Sequence, residues 1–286
     1  MIDKRIFIVI VFLSSFLSFS QTSGIVVDEY DKPIPYVNIW VEGENIGTSS
    51  EEDGRFIIDI NDKNKNLLFS IIGFEKKKVK VSQASKVVLQ SITNELEEVV
   101  IFNKKETKQI EIGVIENSVF QAFENGPKND IKFFPYNPKF SKTKYIKQVK
   151  IATDSKIETA TIKFHFYSVD ENGFPGKELL KKDLIVNIKN GGKSSKVNVS
   201  DYNLTMPKNG IFVGFEKLMI ENNKLERTSI DRNTNKLTTQ KLYYPFVLYN
   251  YVQNPKTFSF LGGKWEPNND NKTSRYEPAI TLILSN

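Results

Sequence analysis

Apolar positions along this chain recur mostly with a period of two, and no long stretch keeps the spacing of a helix. Tyr36 to Val41 sets Val37, Ile39 and Val41 on one face and Tyr36, Asn38 and Trp40 on the other, which predicts a half-buried strand. Phe56, Ile58 and Ile60 repeat the alternation, and Ser23 to Val27, Ile46 to Ser50, Leu67 to Ile72, Lys76 to Val81 and Lys86 to Ile92 are further short runs. Turn chemistry at Glu29-Tyr30-Asp31-Lys32-Pro33 and Glu42-Gly43-Glu44-Asn45 separates them. About seven strands at such close spacing predict an all-β sandwich over residues 21–102.

A linker is expected at 103–110, and a second all-β unit over 111–286. Its strand-like runs are Phe133-Phe134-Pro135, Tyr145 to Ile151, Thr159 to Ser168, Leu179 to Ile188, Ser195 to Val199, Gly210 to Ile220 and Ala279 to Leu284. Clusters of Gly, Pro, Asn and Asp divide them, so a jelly-roll-like sandwich is the expected architecture. Asn222 to Lys241 is strongly polar and reads as a long solvated hairpin or loop.

The N-terminus follows a different rule. Lys4 and Arg5 precede the apolar run Ile6 to Leu13, which continues through Phe19 to the small residue Ser20. This is the layout of a secretory signal peptide over residues 1–20, and it is shorter than the about 20 apolar residues a spanning helix needs. An exported protein is expected, periplasmic, outer-membrane-associated or extracellular, with no transmembrane span in the mature chain. The absence of cysteine excludes disulfides and a cysteine-linked lipid anchor. Without Asp3, Lys4 and Arg5, the 40 basic and 34 acidic residues become 38 and 33, a net of +5. That mild, dispersed charge argues against nucleic-acid binding, which needs a concentrated basic face.

Candidate chemistry is sparse. Glu51, Glu52 and Asp53 precede Gly54 in a stretch that invites comparison with a calcium loop. An EF-hand needs oxygen ligands at positions 1, 3 and 5, glycine at 6 and a bidentate acid at 12. Here position 12 is Ile60, a core position, so Asp53-Gly54 is expected to be a plain hairpin turn. Zinc hydrolysis needs several imidazole and carboxylate ligands, whereas the chain has a single histidine, His165. Ile162, Phe164 and Phe166 take one face of its strand, leaving His165 with Lys163 and Tyr167 on the other. With no nucleophile-elbow motif in sight, His165 reads as an ordinary strand residue. No catalytic residue, metal or cofactor is expected.

One succession of segments carries a resemblance: Gly24-Ile25-Val26-Val27-Asp28, Pro33 to Ile39, Gly47-Thr48-Ser49, Asp53-Gly54-Arg55-Phe56, Phe69 to Phe74 and Leu96-Glu97-Glu98-Val99-Val100. In order and content it resembles the carboxypeptidase regulatory-like domain, a transthyretin-like seven-stranded sandwich frequent in Bacteroidota cell envelopes and at the N-terminus of TonB-dependent transporters. The resemblance implies a fold and a compartment rather than a reaction. Phe166 to Asp170, Gly173-Phe174-Pro175-Gly176, Val197 to Tyr202 and Gly210 to Glu216 are similar to a C-terminal region found behind that domain in uncharacterised Bacteroidota proteins.

A non-catalytic interaction or scaffold protein is therefore expected, with an envelope protein or a surface glycan as partner. For the glycan alternative the candidate ligand-binding residues are Trp265, Tyr249, Tyr251, Asn268 and Asp270, because exposed aromatics beside Asn and Asp suit sugar stacking. A glycoside hydrolase-like enzyme would instead need two carboxylates facing each other across a cleft.

Overall fold

The structure is a computed structural model that describes residues 21–92, 106–115, 119–120, 126–230, 235–268 and 274–286. The expected signal peptide, residues 103–105 of the expected linker and Asp270 lie outside the described residues. The described chain is all-β, with short 3-10 turns and no α-helix. No helix among these residues is long and apolar enough to cross a membrane.

The first unit has strands β1 (Thr22–Val27), β2 (Asn38–Val41), β3 (Gly47–Ser49), β4 (Arg55–Ile58), β5 (Asn66–Ser70), β6 (Lys77–Lys80) and β7 (Lys86–Val88). They form two sheets, ordered β4-β1-β7 and β3-β2-β5-β6. Val26, Phe56 and Ile58 of the first sheet meet Ile39, Leu67 and Phe69 of the second in one core, and Ile60 is buried as its alternation requires. Asp53-Gly54 forms the turn before β4: Gly54 has φ +77°, and the Asp53 carboxylate accepts from the Arg55 amide at 3.0 Å. Lys76, Lys77 and Lys78 face solvent.

The second unit contains β8 (Gln109–Gly113), β9 (Val119–Phe120), β10 (Lys128–Phe134), β11 (Tyr145–Val169), β12 (Pro175–Glu178), β13 (Leu184–Asn198), β14 (Ile211–Lys217), β15 (Lys224–Ile230), β16 (Leu237–Tyr243), β17 (Phe246–Gln253), β18 (Thr257–Leu261), β19 (Lys264–Pro267), β20 (Ser274–Pro278) and β21 (Ile280–Ser285). The 25-residue β11 carries the architecture. Its first half pairs with β21, and its second half with β14, which pairs in turn with β10. The pairing of β11 with β13 shifts register between Ser155 and Thr159, where such an irregularity bends a strand. The two halves thus contribute to opposite layers of a sandwich. Ile146, Val149 and Ile151 face Ile162, Phe164 and Phe166 across the core, with β14 and β21 adding their alternate apolar residues. β15 and β16 form a separate, largely exposed hairpin within the polar stretch.

The layer made by β19, β18, β10, β14 and the second half of β11 has an outer face that is also buried. Phe212, Ile131 and Phe258 cluster there with Tyr167 and Trp265. Covering it is the β2 side of the first unit: Trp40 meets Phe260 edge-on with ring centres 6.1 Å apart. Hydrogen bonds from main-chain amides reinforce the junction, Gly43 N donating to the Gly262 carbonyl at 3.0 Å and Met219 N to the Ser49 side-chain hydroxyl at 3.2 Å. This explains a departure from the sequence reading. β2 is buried on both faces, because the face bearing Asn38 and Trp40 lies against the second sandwich instead of water.

Candidate functional site

At this junction the outer face of β11 presents Lys163, His165 and Tyr167, as its alternation demands. Cross-strand register sets Glu216 of β14 opposite Lys163 and Gly214 opposite His165. On the other side of β11, Glu178 of β12 lies opposite Tyr167, and beyond β14, Asn129 of β10 lies opposite Glu216. Asn38 comes from the first unit. The strands thus array these polar side chains on one pleated surface.

His165 sits between two carboxylates. Its Nδ1 is 2.8 Å from Glu178 Oε2 and its Nε2 is 2.8 Å from Glu216 Oε2. With both nitrogens facing carboxylates the ring is an imidazolium donating twice. Burial alone lowers the affinity of the ring for a proton, but the bonds and charges of Glu178 and Glu216 outweigh it and raise the pKa to about 9. Burial likewise raises the Glu216 carboxyl, yet the charge of Lys163 and the bond from His165 prevail and hold it below the ordinary value. Glu178 is fixed by its second oxygen, which accepts from the Phe166 amide at 2.9 Å. Lys163, only 1% exposed, donates to the Tyr36 carbonyl of the first unit at 2.7 Å and pairs with Asp183 at 3.3 Å. Burial raises the Asp183 carboxyl against the opposing pull of Lys163.

These groups border a cavity of about 720 Å³ between the two units. Its wall in the first unit is the Ile71-Ile72-Gly73-Phe74 loop, and on the other side stand Tyr167, Phe260 and Trp265. Trp265 meets Tyr167 at 5.2 Å and Phe260 at 5.1 Å, both edge-on, and the His165 ring stacks on Tyr167 at 5.6 Å. Burial pushes the Tyr167 hydroxyl well above its ordinary value. Glu216 Oε1 and Asn129 Oδ1, on side chains more than nine-tenths buried, have no hydrogen-bond partner. Since both imidazole nitrogens are engaged, the cluster leaves no free nitrogen for a metal. Among the described residues no group of three His, Cys, Asp or Glu side chains is arranged to hold one.

Of the sequence-predicted ligand residues, Trp265 borders this cavity. Tyr249 lies on the opposite side of the same layer, buried, with its hydroxyl donating to Asp130 at 2.5 Å. Asn268 is tied to that group through Ser259, whose hydroxyl lies 2.6 Å from Asp130 and 3.1 Å from Asn268 Oδ1. Tyr251 is 56% exposed and paired with Tyr276 at 5.2 Å. The described four therefore divide between two faces and an edge rather than forming one patch. Lys163, Glu178, Asp183 and Glu216 were not anticipated, and His165 was read as ordinary. One signal was available: Ile211-Phe212-Val213-Gly214-Phe215-Glu216 is an unbroken apolar run ending in a carboxylate, the pattern of a strand buried on both faces whose acid must find a partner.

Comparison with known proteins agrees with the first unit and says little of the second. Residues 22–101 match the CarboxypepD_reg-like domain family. The chain is similar to two TonB-dependent receptors of Formosa agariphila, 36% identical over 105 residues and 30% identical over 96. These matches cover 36% and 32% of this chain but only 10% and 9% of the receptors, so the chain spans about a tenth of their length. The crystal structure of the cysteine protease and lectin-like domains of a surface layer associated protein of Clostridium difficile aligns over 88% of this chain and 58% of that one, with 11% identity and a TM-score of 0.36. At that level the likeness says nothing of activity.

Proposed function

We propose that this is a non-catalytic interaction protein of the cell envelope, in which a regulatory-like sandwich is held against a second sandwich to make one rigid body that docks to an envelope partner. The observation that carries this reading is the junction itself. Lys163 of the second unit reaches the Tyr36 carbonyl of the first from a fully buried position, and His165 is held between Glu178 and Glu216 beneath it. Charges so mutually engaged suit holding two surfaces together. They suit proton transfer poorly: glycoside hydrolysis wants one carboxyl kept protonated and another free, whereas Glu216 is held ionised by Lys163 and His165. The envelope setting draws on the CarboxypepD_reg-like match, the receptor relatives and the apolar N-terminal run. Fractionation and in-cell crosslinking test it: the protein is expected in the envelope fraction, crosslinked to a second envelope protein, and recovery from the cytoplasm alone would overturn it.

Trp265 favours a second reading, that of a glycan-binding accessory protein, since its ring stands at a cavity with polar groups at its base. Glycan-array binding that is lost in Trp265→Ala is the expected result for that reading, and binding unchanged in the variant would remove it.

A further inference from the structure

The cavity offers three kinds of surface, and together they point to a narrower class of ligand. Its volume, about 720 Å³, falls in the usual range for small-molecule sites. One side is aromatic, formed by Tyr167, Phe260 and Trp265, a surface on which the apolar face of a sugar ring can pack. The base supplies acceptors: Glu216 and Asn129 each keep one side-chain oxygen without a partner. A buried acceptor left unpaired carries a desolvation cost; both oxygens are covered as the structure stands, and a ligand hydroxyl relieves that cost when the side chain turns toward the cavity.

The charge of the ligand is read at the mouth, because at the base Lys163 and His165 face Glu178, Glu216 and Asp183, an excess of one carboxylate that the lysines of the mouth outnumber. Lys76, Lys177 and Lys181 border the cavity and are exposed. Three ammonium groups around an opening disfavour a cationic ligand and favour an anionic one. A bare inorganic anion would leave both the aromatic wall and the acceptors unused.

We propose that the interdomain cavity is a binding site for an acidic saccharide, with ring hydroxyls donating to Glu216 and Asn129, the ring against the aromatic wall and the carboxylate toward the lysines at the mouth. This deepens the glycan-binding reading and rests on it. The test is a ligand-observed NMR titration of the purified protein with galacturonate, galactose and acetate, compared with Lys177→Glu and Trp265→Ala. The first substitution lies at an exposed position and is checked for native circular dichroism. Galacturonate is expected to bind about ten-fold more tightly than galactose, equivalent to about 1.4 kcal/mol, and acetate not at all. Lys177→Glu removes the preference while galactose binding stays, added salt weakens it in the same way, and Trp265→Ala weakens both sugars. Equal binding of galactose and galacturonate would overturn the acidic preference and leave a glycan site standing. Binding of neither sugar would overturn both, and acetate competing as well as galacturonate would reduce the site to one for simple anions and overturn the proposal.

Discussion

A histidine buried between two carboxylates titrates in the opposite direction from one buried alone. His165 is raised from 6.5 to about 9 when folded, so its contribution is complete below the unfolded value and is lost as pH rises through 9. A shift of that size corresponds to roughly 3 kcal/mol. Glu216 has the reverse sign: its folded value lies below the ordinary 4.5, so its contribution is present above that value and lost as pH falls. Asp183, raised by burial, shares the sign of His165, losing stability as pH rises and it ionises, and so offsets Glu216. Urea midpoints measured against pH should therefore show a plateau below the unfolded value of 6.5 and a decline that starts there, crosses neutrality and is complete just above 9. His165→Ala should lower the plateau by about 3 kcal/mol, the cost of stranding buried carboxylates, and abolish that decline. None of this was legible from the residue itself. A lone histidine in an alternating strand carries no mark of what covers it, and the two glutamates that charge it lie 13 and 51 residues away in sequence.

Strands were the most legible elements, because side-chain period and turn chemistry are local properties. The alternation in β2, β4 and β11 and the Asp53-Gly54 turn could be read directly. What a polar face meets is a tertiary fact, and so β2 was read as half-buried and the second face of β11 as ordinary when each is covered by the other unit. Gly214 shows how tightly this layer is built. A Cβ placed there would lie 1.9 Å from the Asp130 carbonyl and 2.5 Å from Ile131 Cα, both backbone atoms of β10. Gly214→Ala should thus cost at least about 3 kcal/mol by forcing β10 and β14 apart. The contrasting position is Gly192 in β13, where the nearest atom to an added Cβ is Asp154 Oδ1 at 3.8 Å. Gly192→Ala should stay within about 0.5 kcal/mol of the parent. Thermal melts of the two variants side by side check both expectations, and equal stabilities would mean that the β10–β14 layer is looser than its register implies.

For the whole molecule, two sandwiches with separate cores could unfold separately, and inter-domain motion is the default when an interface is small and polar. Here the junction combines aromatic packing, main-chain bonds and a buried lysine reaching across it, and the cavity exists only while that junction is closed. Lys163→Met keeps much of the side-chain volume and removes the charge that joins Tyr36 to Asp183. Differential scanning calorimetry of the parent protein and this variant at neutral pH is the most direct measurement. The parent should unfold in one transition in which both sandwiches melt together, and Lys163→Met should split it into two, the first at lower temperature. Two independent transitions in the parent, unmoved by the substitution, would show that the sandwiches are merely adjacent and that the buried charges do not join them.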